Sequence, residues 1–142
     1  MYMSNLKSKL TEAFFTELYN FLDTLVKLYP SEAPDIIVYR ALVRNCTNFR
    51  DREMFISTLD QHIFSEYKVQ ILTHDIQFLT NQASSIIQSK VDSQYLDEAT
   101  DWLNKIKKLY HEGKVSKDQE VWIWKMLETF LKLNDKIKSI PS

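Results

Sequence analysis

Glycine is almost absent from this sequence. The 142 residues contain one, Gly113, whereas ordinary soluble chains carry about 7%. P-loops, dinucleotide-binding fingerprints and the nucleophile elbow of α/β-hydrolases each need at least two glycines at fixed spacing. The sequence therefore excludes nucleotide binding and α/β-hydrolase chemistry in their usual forms.

Cysteine and long apolar runs are also scarce. Cys46 is the sole cysteine, so no internal disulfide can form, and a free thiol agrees with a reducing compartment. No apolar run comes near the roughly 18 residues of a membrane-spanning helix. Met1 to Lys9 lacks the apolar stretch of a signal peptide. We therefore expect an intracellular protein with no membrane partner.

Neither sign of charge dominates the chain. It carries 18 basic and 19 acidic side chains, for a net charge of −1. Residues 1–104 hold 9 basic and 14 acidic groups, net −5, whereas residues 105–142 hold 9 and 5, net +4. This polarity favours contact between copies, with an acidic partner or with nucleic acid. The near-zero total and the lack of an Arg-rich tail disfavour a general nucleic-acid binder.

The length and apolar content predict one domain over residues 1–142. Hydrophobic residues make up 44% of the chain and aromatic residues 13%. A chain of roughly 150 residues buries about 68–70% of its unfolded surface. Such a core needs neither disulfides nor a structural metal.

The first two predicted helices are separated by a proline-flanked turn. The first is predicted to begin near Ser4 or Asn5 and to stop at Tyr29, because a residue before proline avoids the α region. The second extends from Pro34 to about Asn45. The apolar stripe of the first helix has the spacing of one helix face: Leu6, Leu10, Phe14, Leu18, Phe21, Leu25 and Leu28.

The middle of the chain is harder to divide. Asn48 and Asp51 predict the start of a third helix, and its stripe contains Phe55, Leu59 and Ile63. The pattern leaves open whether this helix continues through Leu72 or restarts at Ser65. A further helix is predicted from residue 74 to about residue 90.

The last third has clear helix boundaries. One helix is predicted from Ser93 to Gly113, since glycine commonly ends helices in a left-handed conformation. Ser116 and Gln119 have the spacing of a capping box and open a final helix that extends through Ile137. The sequence therefore predicts an all-α, single-domain bundle of five to seven helices without strands.

No arrangement of reactive side chains in the sequence indicates catalysis or metal binding. The histidines His62, His74 and His111 are not spaced three or four residues apart, as a zinc site on one helix would need. His74 and Asp75 are adjacent, so on a helix they point about 100° apart and do not face each other. Cys46 has no neighbouring base. We therefore expect a protein that is not an enzyme and needs no cofactor.

All four arginines fall within a short stretch of the sequence: Arg40, Arg44, Arg50 and Arg52. Arg40 and Arg44 are one helical turn apart and share a face, so the group could converge around residues 45–48 and bind an anion. That anion could be a phosphate, a nucleic acid or a partner's carboxylate. The alternative, which we favour, is solvation or internal pairing with acids such as Asp35, Glu53 and Asp60.

The final helix contains two tryptophans that cannot share a face. Trp122 and Trp124 point about 200° apart on a helix. Trp124 lies on the apolar side with Leu127 and Leu131, so it is predicted to be in the core. Trp122 is then the candidate interface residue, although packing against another helix of the same domain is the favoured alternative.

Four segments of the chain carry a family resemblance: LYNFLDTLVKLYPSEAPD, YRALVRN, ILTHDIQFL and WIWKMLETFLKLND. In this order they resemble small helical proteins that recur in large DNA viruses of eukaryotes. The resemblance covers most of the chain and implies a virus-encoded protein of the host cytoplasm, associated with the virion. It assigns no catalytic residue.

Together these features predict a non-enzymatic protein that binds other proteins or its own copies. The expected role is a structural part of a virus particle, such as a minor capsid or scaffold component. The alternative is an accessory protein that contacts nucleic acid through the arginines between Arg40 and Arg52 and through the C-terminal lysines.

Overall fold

Five α-helices form the part of the chain that the structure describes. A computed structural model describes residues 2–78 and 105–140. Within these ranges there is no strand, and the five helices hold more than half of the chain's 142 residues, which confirms the predicted all-α class. Residues 105–111 form a further helical segment. The helices are α1 (Tyr2–Leu28), α2 (Ala33–Arg44), α3 (Phe49–Leu59), α4 (Ser65–Leu72) and α5 (Lys117–Lys138).

Helix α1 is central and contacts α2, α3 and α5. Its predicted apolar stripe is buried from Phe14 to Leu25, whereas Leu6 and Leu28, at the two ends of the helix, are exposed. Phe15 and Leu22, which lie outside the predicted stripe, are also buried. Because three helices pack around α1, its buried face is wider than the stripe of a helix with one neighbour.

The boundaries of α1 and α2 follow the prolines closely. Helix α1 ends at Leu28, and Tyr29 has φ −129° and ψ 72°, as expected before a proline. A 3₁₀ turn, Pro30–Glu32, leads directly into α2. Helix α1 begins at Tyr2 rather than at Ser4 or Asn5, because polar residues are also tolerated on the exposed side of a helix.

Helical segments follow one another directly from Phe49 to Leu72, with a kink at Tyr67. Helix α3 is followed directly by a π-helical turn, Asp60–Phe64, and then by α4. Tyr67, with φ −119° and ψ 23°, departs from helical geometry inside α4. Of the two possibilities that the sequence left open, the structure shows the continuous path, with an irregular centre.

The predicted caps of α3 and α5 are confirmed, whereas the one predicted at Ser4 or Asn5 is wrong because α1 begins at Tyr2. The Asn48 side chain accepts a hydrogen bond of 2.8 Å from the backbone N–H of Asp51 at the start of α3. At α5, the Ser116 hydroxyl accepts from the Gln119 N–H, and the Gln119 side chain accepts from the Ser116 N–H. The Tyr29 hydroxyl donates to the same Gln119 oxygen at 2.7 Å. This bond joins the end of α1 to the start of α5.

Two helices end in the same left-handed motif, one at glycine and one at histidine. Gly113 has φ 67°, as predicted, and His74 has φ 54°. The His74 N–H donates to the carbonyl of Ile71 at 3.2 Å, and the N–H of Asp75 donates to that of Gln70 at 2.9 Å. This is the Schellman pattern. The sequence did not indicate it, because the position after a helix end is usually glycine.

The predicted helices between residues 79 and 104 lie outside the described residues. The structure describes residues 74–78 of the helix predicted from 74 to 90, and the predicted start at residue 74 is wrong, because His74 and Asp75 are not helical. It describes residues 105–111 of the one predicted from Ser93. None of the described helices combines the length and the apolar character needed to cross a membrane.

Candidate functional site

Arginines of α2 contact the side of α1. Arg40 forms an ion pair with Asp23 through Nη1 and Oδ1. The Arg44 guanidinium lies over the Tyr19 ring, 5.9 Å from its centroid, while much of the side chain remains exposed. Both arginines of α2 are therefore held against α1.

The next arginine along this side of α1 comes from α3. Arg52 lies over the Phe15 ring, 5.1 Å from its centroid, and its Nε donates to the carbonyl of Cys46 at 2.9 Å. Arg50 is exposed at the start of α3. The contacted residues are spaced four apart on α1: Phe15, Tyr19 and Asp23. The three arginines therefore contact α1 along about 12 Å of helix. Arg52 also reaches residues 45–48 through Cys46, and the convergence of all four arginines there stays a prediction.

Two of the three acids that the sequence suggested as partners for the arginines have other partners. Glu53 pairs with Lys7 at 3.0 Å, and Asp60 pairs with Lys138 at 3.2 Å. The acid that an arginine does contact is Asp23, on α1. The side chain of the third suggested acid, at position 35, lies outside the described residues.

The two tryptophans of α5 lie on different sides of the helix. Trp124 is 4% exposed, which confirms its predicted place in the core. Trp122 is half-buried and stacks on Phe21, with ring centroids 5.1 Å apart. Part of the Trp122 ring is therefore used inside the domain, as the favoured alternative expected. Its role as an interface residue stays a prediction.

The outer side of α2 is apolar where a helix normally faces water. Ile37 is 44% exposed and Val38 62%; on the same side, Ala41 is exposed one turn further on and Arg44 about two turns further on. We call these four residues the α2 stripe. Since the inward positions Ile36 and Val43 are buried, α2 has apolar residues on two sides.

Helix α5 has an exposed basic side. Lys125, Lys132 and Lys136 are exposed, and none of them forms an ion pair with the residues that the structure describes. Spacings of seven and four residues place them on one side of the helix. Lys136 also lies in the last turn, where a cation complements the negative end of the helix dipole.

A network centred on Asp60 connects the π turn with α5. Asp60 Oδ1 accepts hydrogen bonds from Asn134 Nδ2 at 2.9 Å, Ser65 Oγ at 2.8 Å and Lys138 Nζ at 3.2 Å. Asn134 is buried. One carboxylate oxygen thus joins three donors that come from two parts of the chain.

The pKa of the Asp60 carboxyl group is lowered. Burial of Asp60 raises its pKa, but the hydrogen bonds from Asn134, Ser65 and Lys138 and the charge of Lys138 lower it by more. Each of these donors favours the ionised form. Asp60 is therefore a carboxylate at neutral pH.

Comparisons with known proteins add no relative to this description. No family model matches the chain, and no curated protein and no solved structure matches it either. A function for the chain must therefore be argued from its own residues.

The sequence assigned no role to two residues that the structure makes prominent, Thr11 and Asn134, and suggested a third, Asp60, only as a partner for the arginines. Thr11 and Asn134 are polar but almost fully buried. Both carry a sequence signal, because each lies at an apolar position of its helix, Thr11 three residues before Phe14 and Asn134 four after Phe130. Asp60 carries no such signal, since its role depends on the π turn.

Proposed function

We propose that this protein is a non-enzymatic binding module that holds an amphipathic helix of another protein on the α2 stripe. The observation that carries this proposal is the exposure of Ile37 and Val38 on the solvent side of a helix whose opposite side is buried. Helices that dock in this way use apolar anchors spaced by one helical turn. The spacing of Ile37, Val38 and Ala41 fits such a partner.

Arg44 supports a partner with acidic side chains. It lies at the C-terminal end of the α2 stripe, and its guanidinium rests over the Tyr19 ring. A guanidinium that is already positioned loses less conformational freedom when it pairs with a carboxylate. The preferred partner is therefore a helix with apolar residues on one side and an acidic residue near one end.

Nucleic acid is the second candidate partner. The exposed lysines of α5 favour it, whereas the arginines disfavour it, because Arg40 is neutralised by Asp23 and Arg52 is held by Phe15 and Cys46. Because the chain resembles proteins of large DNA viruses, the partner should be sought first among virion components and among proteins of virus assembly in the host cytoplasm.

A matched pair of variants tests the α2 stripe. Val38→Asp places a charge on the stripe, and Val121→Asp places the same charge on α5, at a site that is 63% exposed against 62% for Val38. A partner captured by the wild-type protein is purified, and its affinity is measured by calorimetry. We expect Val121→Asp to bind like wild type and Val38→Asp to bind at least about tenfold more weakly. Equal affinities for the two variants would contradict the proposal.

Mass photometry separates the remaining occupants of the stripe. If wild-type protein forms a dimer that Val38→Asp abolishes, the occupant is a second copy of this chain and not another protein. If the protein instead forms a complex with duplex DNA that is lost steeply between 50 mM and 200 mM salt, about 10³-fold or more for six phosphate contacts, nucleic acid replaces protein as the partner.

A further inference from the structure

A cavity of about 380 Å³ lies between α1, α3 and the end of α5. Its apolar lining comes from Met54, Ile56, Ile137 and Ile140, and its polar lining includes Thr11 and Asp60. Small-molecule sites usually occupy about 300–1,000 Å³ and combine apolar walls with a few polar groups. The cavity is separate from the α2 stripe.

Asp60 has one carboxylate oxygen to spare in this cavity. Its three hydrogen bonds all end on Oδ1. Oδ2 accepts no hydrogen bond from any residue in the described ranges. A carboxylate oxygen can accept two hydrogen bonds, so Oδ2 can accept the N–H of a ligand while the Asp60 network stays intact.

Thr11 supplies a second polar group in the lining of this cavity. It is 2% exposed and lines the same cavity. Its hydroxyl makes no hydrogen bond with the described part of the chain. Its oxygen is not among the fully buried polar atoms without a partner, so it is accessible and can accept a hydrogen bond from a ligand in the cavity.

The free charged atoms of the cavity favour a cationic ligand. Lys138 uses two of its protons on Asp60 and Ser65 and is about half exposed, whereas Asp60 is 19% exposed. Of these two charged groups, the Asp60 carboxylate is the less exposed to water, and its Oδ2 atom is unused. A positively charged group of a ligand is therefore preferred next to Oδ2. The other two charged residues that line the cavity, Lys7 and Glu53, already pair with each other.

We propose that this cavity binds a small ligand with a protonated amine and an apolar chain. The amine donates to Asp60 Oδ2, the Thr11 hydroxyl accepts a second hydrogen bond from it, and the chain lies against Met54 and Ile137. This site does not rest on the proposed interaction of the α2 stripe.

Three six-carbon probes of different charge test the site: hexylamine, hexan-1-ol and hexanoate. Binding is followed by ¹⁵N chemical-shift titration of the full-length protein. We expect hexylamine to saturate with shifts at Thr11, Ser57 and Asp60, and the alcohol and the acid to bind about tenfold more weakly or not at all. Absence of saturable hexylamine binding, or equal binding of hexanoate, would overturn the proposal.

Substitutions then locate the bound amine. Asp60→Asn should weaken hexylamine binding by about tenfold or more, whereas the control Asp118→Asn, an exposed acid of the first turn of α5 outside the cavity, should leave it unchanged. Should Asp60→Asn fail to fold, Ser57→Leu provides the second variant. Ser57 is an exposed lining residue, and a larger side chain there should block the ligand while the Asp60 network is kept. Unchanged affinity in the folded variants would refute the site.

Discussion

The His74 imidazole lies flat against the Trp124 indole. The ring centroids are 5.0 Å apart and the ring planes differ by 8°. His74 Nε2 also lies 2.6 Å from Glu128 Oε1. Both contacts are to α5, so the left-handed end of α4 is fixed by the helix that it packs against. This explains how a residue other than glycine is held at φ 54°.

The first prediction separates the backbone and side-chain roles of His74. His74→Ala removes the ring contacts and keeps a Cβ in the left-handed region, so it should lower the free energy of unfolding by about 1–2 kcal/mol. His74→Gly removes the same contacts but relieves the backbone, so its loss should be smaller by about 1 kcal/mol. Urea unfolding of both variants measures the difference. Greater stability of the alanine variant would contradict the left-handed assignment.

A second prediction concerns Gly113. A Cβ built at this position meets no atom within 4 Å, and φ is 67°. Any decrease in the free energy of unfolding of Gly113→Ala is therefore a backbone effect. We expect a decrease of about 1–2 kcal/mol, measured by thermal or urea unfolding. Gly113→Asn should lose less, because asparagine tolerates the left-handed region better. A neutral alanine substitution would show that the turn can relax.

A third prediction compares the two tryptophans of α5. Trp124→Ala empties a buried site and should lower the free energy of unfolding by about 3–5 kcal/mol. Trp122→Ala should lower it by less, because Trp122 is half-buried, but by a measurable amount, because it stacks on Phe21. Denaturant unfolding of both variants tests the order. If Trp122→Ala proves the more damaging, the packing of α5 differs from this structure.

A fourth prediction uses the Arg40–Asp23 pair. Both side chains are partly exposed, so Arg40→Ala, Asp23→Ala and the double variant should give a coupling energy of about 0.2–1 kcal/mol. Arg40→Glu should lower the free energy of unfolding by more than Arg40→Ala, because it places two carboxylates side by side. Adding Asp23→Lys to the Arg40→Glu variant should restore much of that free energy. Strictly additive effects in the cycle would mean that the pair does not contribute.

A fifth prediction concerns the contribution of Asp60 to stability at acidic pH. The pKa of Asp60 is lowered in the folded protein, so its contribution to stability is complete above the unfolded-state pKa of about 3.9 and is lost as pH falls through the folded-state pKa. The destabilisation caused by Asp60→Asn should therefore be the same at pH 7 and pH 5, and should shrink below about pH 4. Urea midpoints of both proteins across this range measure it. A constant difference down to pH 3 would contradict the lowered pKa.

Local chemistry explains which features the sequence could predict. The capping box of Ser116, the cap at Asn48 and the turn at Gly113 act on backbone groups within a few residues, so their signals are contained in short segments. The charge partners could not be predicted in the same way. Asn134 is 74 residues from Asp60, and Asp23 is 17 residues from Arg40. These pairs therefore depend on how the helices pack against each other.

The π turn was hidden for a related reason. Ile63 and Phe64 are adjacent, apolar and both buried, so the apolar spacing fits either a continuous or a restarted helix. His74 was hidden because the usual signal for a left-handed helix end is glycine or asparagine. The contacts with Trp124 and Glu128 that stabilise it come from a distant helix.

The π turn also constrains the length of the chain between α3 and α4. Each residue rotates an α-helix by about 100°, so deleting one residue between Asp60 and Phe64 would turn α4 by that angle relative to α3. Ile71 would leave the core, and the partners of the Asp60 carboxylate would separate. Over evolution, insertions and deletions should therefore be eliminated from these five residues, even where an exposed side chain such as Gln61 varies.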